Sequence, residues 1–264
     1  MLAESLIFQT AALACLLPAL WLAVRRDGEK RLLLPALALA VAGPVLLCVL
    51  AARSGWRTDF SFTIWVSAAA TLILFSALAA ISRTARKMAA LVLPYLGLSI
   101  LVAILVGHGG RPMPESPGPW LAAHIAVAVA TYALITVAAV AALAVFLKER
   151  SLKSKTTNGL AALLPPVAES ERLQDRLMFL SEAVLGLGLA SGIAIHVQRA
   201  QPLLEADHKT LLTLAAFVVI GILLIVQRYS GLRGRRAARI VMISYLLVTM
   251  AYPGVKFVSD ILIG

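Results

Sequence analysis

Eight apolar stretches, near residues 5–24, 32–52, 62–82, 89–107, 120–147, 179–198, 209–227 and 240–261, are each long enough to cross a bilayer. They leave the chain few folds to choose from. Inside hydrocarbon no water is present to bond backbone N–H and C=O groups, so each run must satisfy its own, as a helix does. The expected fold is therefore all-α: a polytopic integral membrane protein, one membrane domain over 1–264, built as a bundle of about eight transmembrane helices. Composition agrees, because 61% hydrophobic and 14% charged residues, with a mean hydropathy of +0.91, do not suit the surface of a water-soluble domain. The first run is expected to stay as a span and not to be cleaved, since Met1 to Ser5 carries Glu4 and no basic residue, and no small-residue cleavage site precedes Arg25.

The formal net charge is +11, yet the basic residues stand in short clusters between apolar runs, which excludes a nucleic-acid partner. Of 24 Lys and Arg, eighteen fall in the connections after the first, third, fifth and seventh runs: Arg25, Arg26, Lys30 and Arg31; Arg83, Arg86 and Lys87; Lys148, Arg150, Lys153, Lys155, Arg172 and Arg176; and Arg228, Arg233, Arg235, Arg236 and Arg239. The other connections and the far ends hold Arg53, Arg57, Arg111, Arg199, Lys209 and Lys256. Positively charged loops stay on the cytoplasmic side, so the first set is expected inside and both termini outside, in a bacterial inner (cytoplasmic) membrane.

On that map all four histidines lie at the outer edge. His108 follows the fourth run, His124 opens the fifth, His196 ends the sixth and His208 begins the seventh. Converging helix ends would offer neutral imidazoles to a metal or to haem iron, while histidine also favours membrane interfaces for its own sake. His124 sits one turn inside Trp120, and Thr131, Tyr132 and Thr136 follow on its stripe, so this face is expected to meet protein and not lipid. The alternative is a packed histidine bonded to a neighbouring carbonyl. His108, within a connection rich in Gly and Pro, is the weakest ligand candidate.

Elsewhere the reading is structural. Cys15 and Cys48, far apart in apolar runs, read as small packing residues. Pro35, Gly43 and Pro44 are expected to bend or break the second helix. Trp56, Phe60, Phe62 and Trp65 read as an interfacial aromatic belt, or as a place where a flat ligand stacks with Arg53 or Arg57 on its carboxylates. Residues from Glu169 to Leu177 suggest a short amphipathic helix leading into the sixth span. In the sixth span, Gly186, Gly188 and Gly192 follow no strand, so close helix packing explains them better than a dinucleotide site. Lys256 and Asp260, four residues apart on one helical face, are positioned to pair.

From Trp120 to the carboxyl terminus the chain resembles the CcsA-like cytochrome c assembly proteins, and among them the shorter YpjD-type members. The resemblance rests on Leu121-Ala-Ala-His124-Ile with Tyr132-Ala-Leu; Pro165-Pro with Glu171-Arg-Leu; Gly188 to Gly192; Asp207-His-Lys-Thr210; Gly231-Leu-Arg-Gly-Arg-Arg-Ala-Ala238; and Tyr252-Pro-Gly-Val-Lys-Phe257. It implies a membrane protein that binds or handles haem at its outer face, with His124 matching the family's first outer histidine ligand. Two features of the family are missing. No tryptophan stands between Ala200 and Lys209, where its members carry a tryptophan-rich segment, and no histidine follows the last helix. The second axial ligand then falls to His208, beside Asp207, with His196 in reserve.

The implied cofactor is non-covalent, b-type haem, whose propionates call for cations; Lys256, Arg199, Lys209 and Arg111, which break the inside-positive pattern, are the candidates. The implied partners, besides the lipid bilayer and haem, are other cytochrome assembly proteins or an apocytochrome, and enzymatic activity is not expected of the chain on its own. Two other readings stay open. One is a non-catalytic regulatory or assembly subunit of the HemX type. The other is a small-molecule permease, against which stand the lack of paired acidic residues at mid-membrane and of a half-chain repeat. The charge map yields a direct expectation: a carboxyl-terminal alkaline phosphatase fusion will be active and the equivalent green fluorescent protein fusion dark, and the reverse pattern would invert the topology.

Overall fold

The computed structural model describes residues 6–25, 32–53, 55, 57, 59–107, 118–155, 159–198 and 208–258, and every regular element among them is helical. The described residues contain eight helices long and apolar enough to span a membrane, one for each run of the sequence. The first span is made of α1 (Leu6–Ala14) and α2 (Leu17–Val24), which restarts with Pro18 in its first turn, where a missing N–H breaks no helical bond. Next come α3 (Leu33–Arg53), α4 (Phe60–Ile81), the short α5 (Arg83–Lys87) and α6 (Ala89–Val106). Asp59 caps α4 by accepting the Phe62 N–H at 3.2 Å, and Ser82 caps α5 by accepting the Ala85 N–H at 3.3 Å.

The second half contains α7 (Pro119–Lys153), the single turn α8 (Leu160–Leu163), α9 (Val167–Gln198), α10 (His208–Ser230) and α11 (Gly234–Thr249). A π-helical turn over Met250–Gly254, containing Pro253, joins α11 to α12 (Val255–Phe257). A proline inside a helix leaves a carbonyl without its usual partner, and widening one turn accommodates that.

Three expectations change. The second span is unbroken, with Pro35 in its first turn and Pro44 held inside a continuous helix; neighbouring helices at membrane depth support such a proline. The fifth span does not stop at 147 but runs to Lys153, because the residues after Leu147 are good helix formers that project beyond the apolar layer. Lys148 donates to the Ala161 carbonyl at 2.7 Å and ties this extension to α8. Likewise the amphipathic segment before the sixth span is no separate helix but the opening turns of α9, with Ser170, Gln174, Leu177 and Met178 buried.

Helix α7 is the axis of the bundle. Of its most apolar 18 residues, 78% are buried within the protein, against 44% or less for every other span. It packs against α4, α9 and α11, and the first half of the chain joins the second chiefly through α4 on α7. Burial resolves the polar stripe: Thr131 and Thr136, both nearly inaccessible, donate back to the Val127 and Tyr132 carbonyls at 2.9 and 2.7 Å. The Tyr132 hydroxyl lies 3.4 Å from that of Tyr95 on α6 and 3.3 Å from that of Tyr245 on α11, and Tyr95 and Tyr245 bond each other. Three phenols from both halves thus satisfy one another inside the membrane.

Among the described residues, the basic connections after the third, fifth and seventh spans meet at one end. Thr84 after α4 donates to Glu169 at 2.8 Å, and Glu171 accepts the Gly234 N–H between α10 and α11 at 2.6 Å. The opposite end collects the starts of α4, α7 and α10 and the end of α9.

Backbones approach closely between α1 and α3, where a Cβ on Gly43 would lie 2.9 Å from the Ala12 carbonyl oxygen and 3.2 Å from Cys15 Cβ. Cys15 is therefore a packing residue, and Cys48 likewise packs against the core as a free thiol. Gly97, by contrast, has nothing within 4 Å of its Cβ position. Gly43→Ala should lower stability by about 1–3 kcal/mol, because backbone must move to admit the methyl, whereas Gly97→Ala should be neutral or mildly stabilising. Thermal unfolding of the two variants in one detergent checks the contrast.

Candidate functional site

The starting turns of α7 carry the first candidate. Pro119 opens the helix after Gly118, Trp120 is 49% exposed at the membrane boundary, and His124 is half-buried against α9. The His124 Nδ1 lies 2.8 Å from the Ser191 hydroxyl oxygen. Ser191 also lies 2.9 Å from the Gly188 carbonyl; with its one hydroxyl proton given there, it accepts from the imidazole. That arrangement puts the ring proton on Nδ1 and the lone pair on Nε2. A histidine whose Nδ1–H is held by an acceptor, with Nε2 as the basic nitrogen, has the form in which imidazole ligates a metal.

Two glycines border this contact. A Cβ at Gly192 would lie 3.4 Å from His124 Cε1, and one at Gly188 would lie 3.5 Å from Val127 Cγ1. Both therefore sit at the interface of α7 with α9, where small residues are common.

The other histidines share this end to different degrees. His196 lies in the last turns of α9 and His208 is the first residue of α10; since α9 carries Ser191, both positions belong to the His124 end of the bundle. The side chains of His196, His208 and Lys209 lie outside the described residues, as do His108, Arg111, Arg199, Asp207 and Asp260. Lys256 stands half-buried on α12. Its neighbour Phe257 meets Phe60 edge to face, with ring centroids 5.5 Å apart, so Lys256 adjoins the start of α4.

That start is more enclosed than an aromatic belt. Phe60, Phe62 and Trp65 are buried, Trp65 completely, because α4 is wedged between α3, α6 and α7. Arg57 is only 8% exposed, while Arg53 is open. The Trp65 indole N–H finds no hydrogen-bond acceptor among the described residues, an uncommon condition for a buried donor. No group of three or more His, Cys, Asp or Glu is placed to hold a metal ion among the described residues.

Ser191 as the partner of His124 is not visible in the sequence, because the two are far apart in the chain; only the small-residue spacing of α9 hinted at the contact. Tyr95 and Tyr245 were also passed over, although a tyrosine in an apolar span always needs a partner for its hydroxyl.

The model of the cytochrome C assembly protein family matches residues 32–263, nearly the whole chain. The chain belongs to that family. A role in cytochrome c biogenesis follows from membership, and the match reaches far ahead of Trp120, taking in the spans from α3 onward. The chain is also similar, at 46% identity over 271 residues covering all of both chains, to the uncharacterized 28.8 kDa protein in the nifR3-like 5' region of Azospirillum brasilense. No solved structure matches.

For this cytochrome c assembly protein the tautomer is open to measurement. Histidine-ring 15N NMR of the detergent-solubilised protein should show His124 protonated at Nδ1 and bare at Nε2. Ser191→Ala, which removes the acceptor, should erase that preference and mix the tautomers; an unchanged spectrum would show that Ser191 does not set it.

Proposed function

We propose that this cytochrome c assembly protein holds b-type haem non-covalently at the outer end of its helix bundle, with His124 as one axial ligand. The observation that carries the reading is the His124–Ser191 hydrogen bond, which holds the ring on a regular helix. The second ligand is His208, which opens α10 at the same end, with His196 of α9 as the reserve. Haem supplies an iron centre with two axial positions suited to imidazole and two propionates that call for cations. For the propionates this chain offers Lys256, Lys209, Arg199 and Arg111. Phe60 and Trp65, buried at the start of α4, add apolar surface at the same end, of the kind a porphyrin favours.

This end is the outer one by the distribution of Lys and Arg, and both termini share it, in a multi-pass protein of the bacterial cytoplasmic membrane. Other assembly proteins or an apocytochrome are the partners such a protein would serve. The lack of tryptophan between Ala200 and Lys209 favours handling or assembly of haem over synthesis by the chain alone.

Purification from haem-replete cells tests the reading. The wild-type protein should carry a Soret band or acquire one on adding haem, and His124→Ala should lose at least nine-tenths of it at equal protein level. Ser191→Ala should bind about 10–100-fold more weakly, the usual effect of removing a partner that orients a ligand. His208→Ala should change the iron spin state; if His196→Ala alone does so, His196 is the second ligand. Wild-type protein that never shows a Soret band, or a His124→Ala variant with the full band, would overturn the proposal.

A further inference from the structure

At the opposite end of α7, about 37 Å of helix from His124, a cleft of about 630 Å³ lies between Glu149 and Lys153 and the turn from α10 into α11. The turn is built by glycine. Gly234 has a φ of +66°, which favours a residue without Cβ, and a Cβ there would come within 2.6 Å of a Glu149 oxygen. Its N–H, at the start of α11, donates to Glu171. The two carboxylates nearest the helix terminus are thus pressed against the turn itself. What faces the cleft is cationic: Lys153, Arg233, Arg235 and Arg236 line it, with Glu149 as the acidic member.

Arg235 is the most constrained of the four. Its guanidinium lies over the Phe146 ring at 4.6 Å, and its Nε is buried without a hydrogen-bond acceptor among the described residues. A planar cation held by an aromatic face suits an oxyanion with several acceptor oxygens. Lys153, Arg233 and Arg236 are exposed and add charge around the same opening.

The surroundings identify the anion's source. Helix α10, the apolar span that leads into this turn, exposes Ile222, Ile225 and Tyr229 along one face, and Tyr229 stands next to Ser230 of the cleft, as aromatic residues do at a membrane interface. We propose that this cleft binds the phosphoryl headgroup of an anionic phospholipid, whose acyl chains lie along the Ile222–Ile225 face of α10. Basic pockets between spanning helices on the positively charged side of a membrane protein recognise such headgroups through charge and hydrogen bonding together. The site is separate from the histidine end and uses none of its residues.

Native mass spectrometry of the full-length protein in detergent tests the assignment, titrating phosphatidylglycerol, phosphatidylcholine of the same acyl chains, and inorganic phosphate. Phosphatidylglycerol should bind at least tenfold more tightly than phosphatidylcholine. The K153Q/R233Q/R236Q variant, altered only at exposed positions, should lose at least tenfold in phosphatidylglycerol affinity, while R83Q/R150Q, equally basic positions outside the cleft, should change less than twofold. If the triple variant fails to fold, R236Q alone should weaken binding severalfold. Equal affinity for the two lipids, or equal losses in cleft and control variants, overturns the proposal. Displacement of the lipid by millimolar inorganic phosphate also overturns it, because it would make the site one for a free anion.

Discussion

A hydroxyl or imidazole in hydrocarbon has only protein to bond, and the arrangement around α7 follows from that requirement. Helix α7 carries His124, Thr131, Tyr132 and Thr136 along one side, and it is the span most completely surrounded by other helices. Each polar group is answered differently. The threonines turn back onto their own helix, Tyr132 reaches two phenols on α6 and α11, and His124 reaches Ser191 on α9. Three neighbours are thus fixed in rotation about α7 by groups that lipid could not satisfy. Apolar packing alone would leave that rotation free, since lipid tails compete for apolar faces as well as Leu or Ile does.

The same requirement shapes the end that carries His124. Ser191 lies within hydrogen-bond distance of both the Gly188 carbonyl and the His124 ring, so it joins α9 to α7 where an apolar side chain could not. Gly188 and Gly192 border that contact, and a Cβ at either would just touch Val127 or His124. Small residues and a polar contact thus share one helix interface.

Much of the fold was legible in the sequence, because bilayer crossing writes a strong signal: each of the eight apolar runs is a span. Ends were less legible. Lys148 and Glu149 look like the stop of α7, yet the helix continues, since charged residues end an apolar run without ending a helix. The same cause hid the start of α9, whose first turns are amphipathic and lie beyond the apolar layer. Phe60 and Trp65 misled for another reason: aromatic residues near a span's end read as a belt, and only the packing of α3, α6 and α7 around α4 shows them to be interior. His124 was legible from its depth and its stripe, whereas its partner was not, because local spacing carries no information about a contact 67 residues away.

Seen along α7, the two ends divide the work by charge. One end carries His124, His196 and His208; the other has an arginine-rich turn closed by Glu171 and crowded by Glu149. Membrane insertion favours this polarity, since basic connections remain on the cytoplasmic side. It also restricts where an anion can be held. At the end away from His124 charge is abundant, so a phosphate bound there would gain from several cations at once. At the His124 end Arg57 is buried and Lys256 adjoins Phe60 through its neighbour Phe257, so an anionic edge would meet these cations in a drier setting, where a single charge-assisted hydrogen bond counts for more.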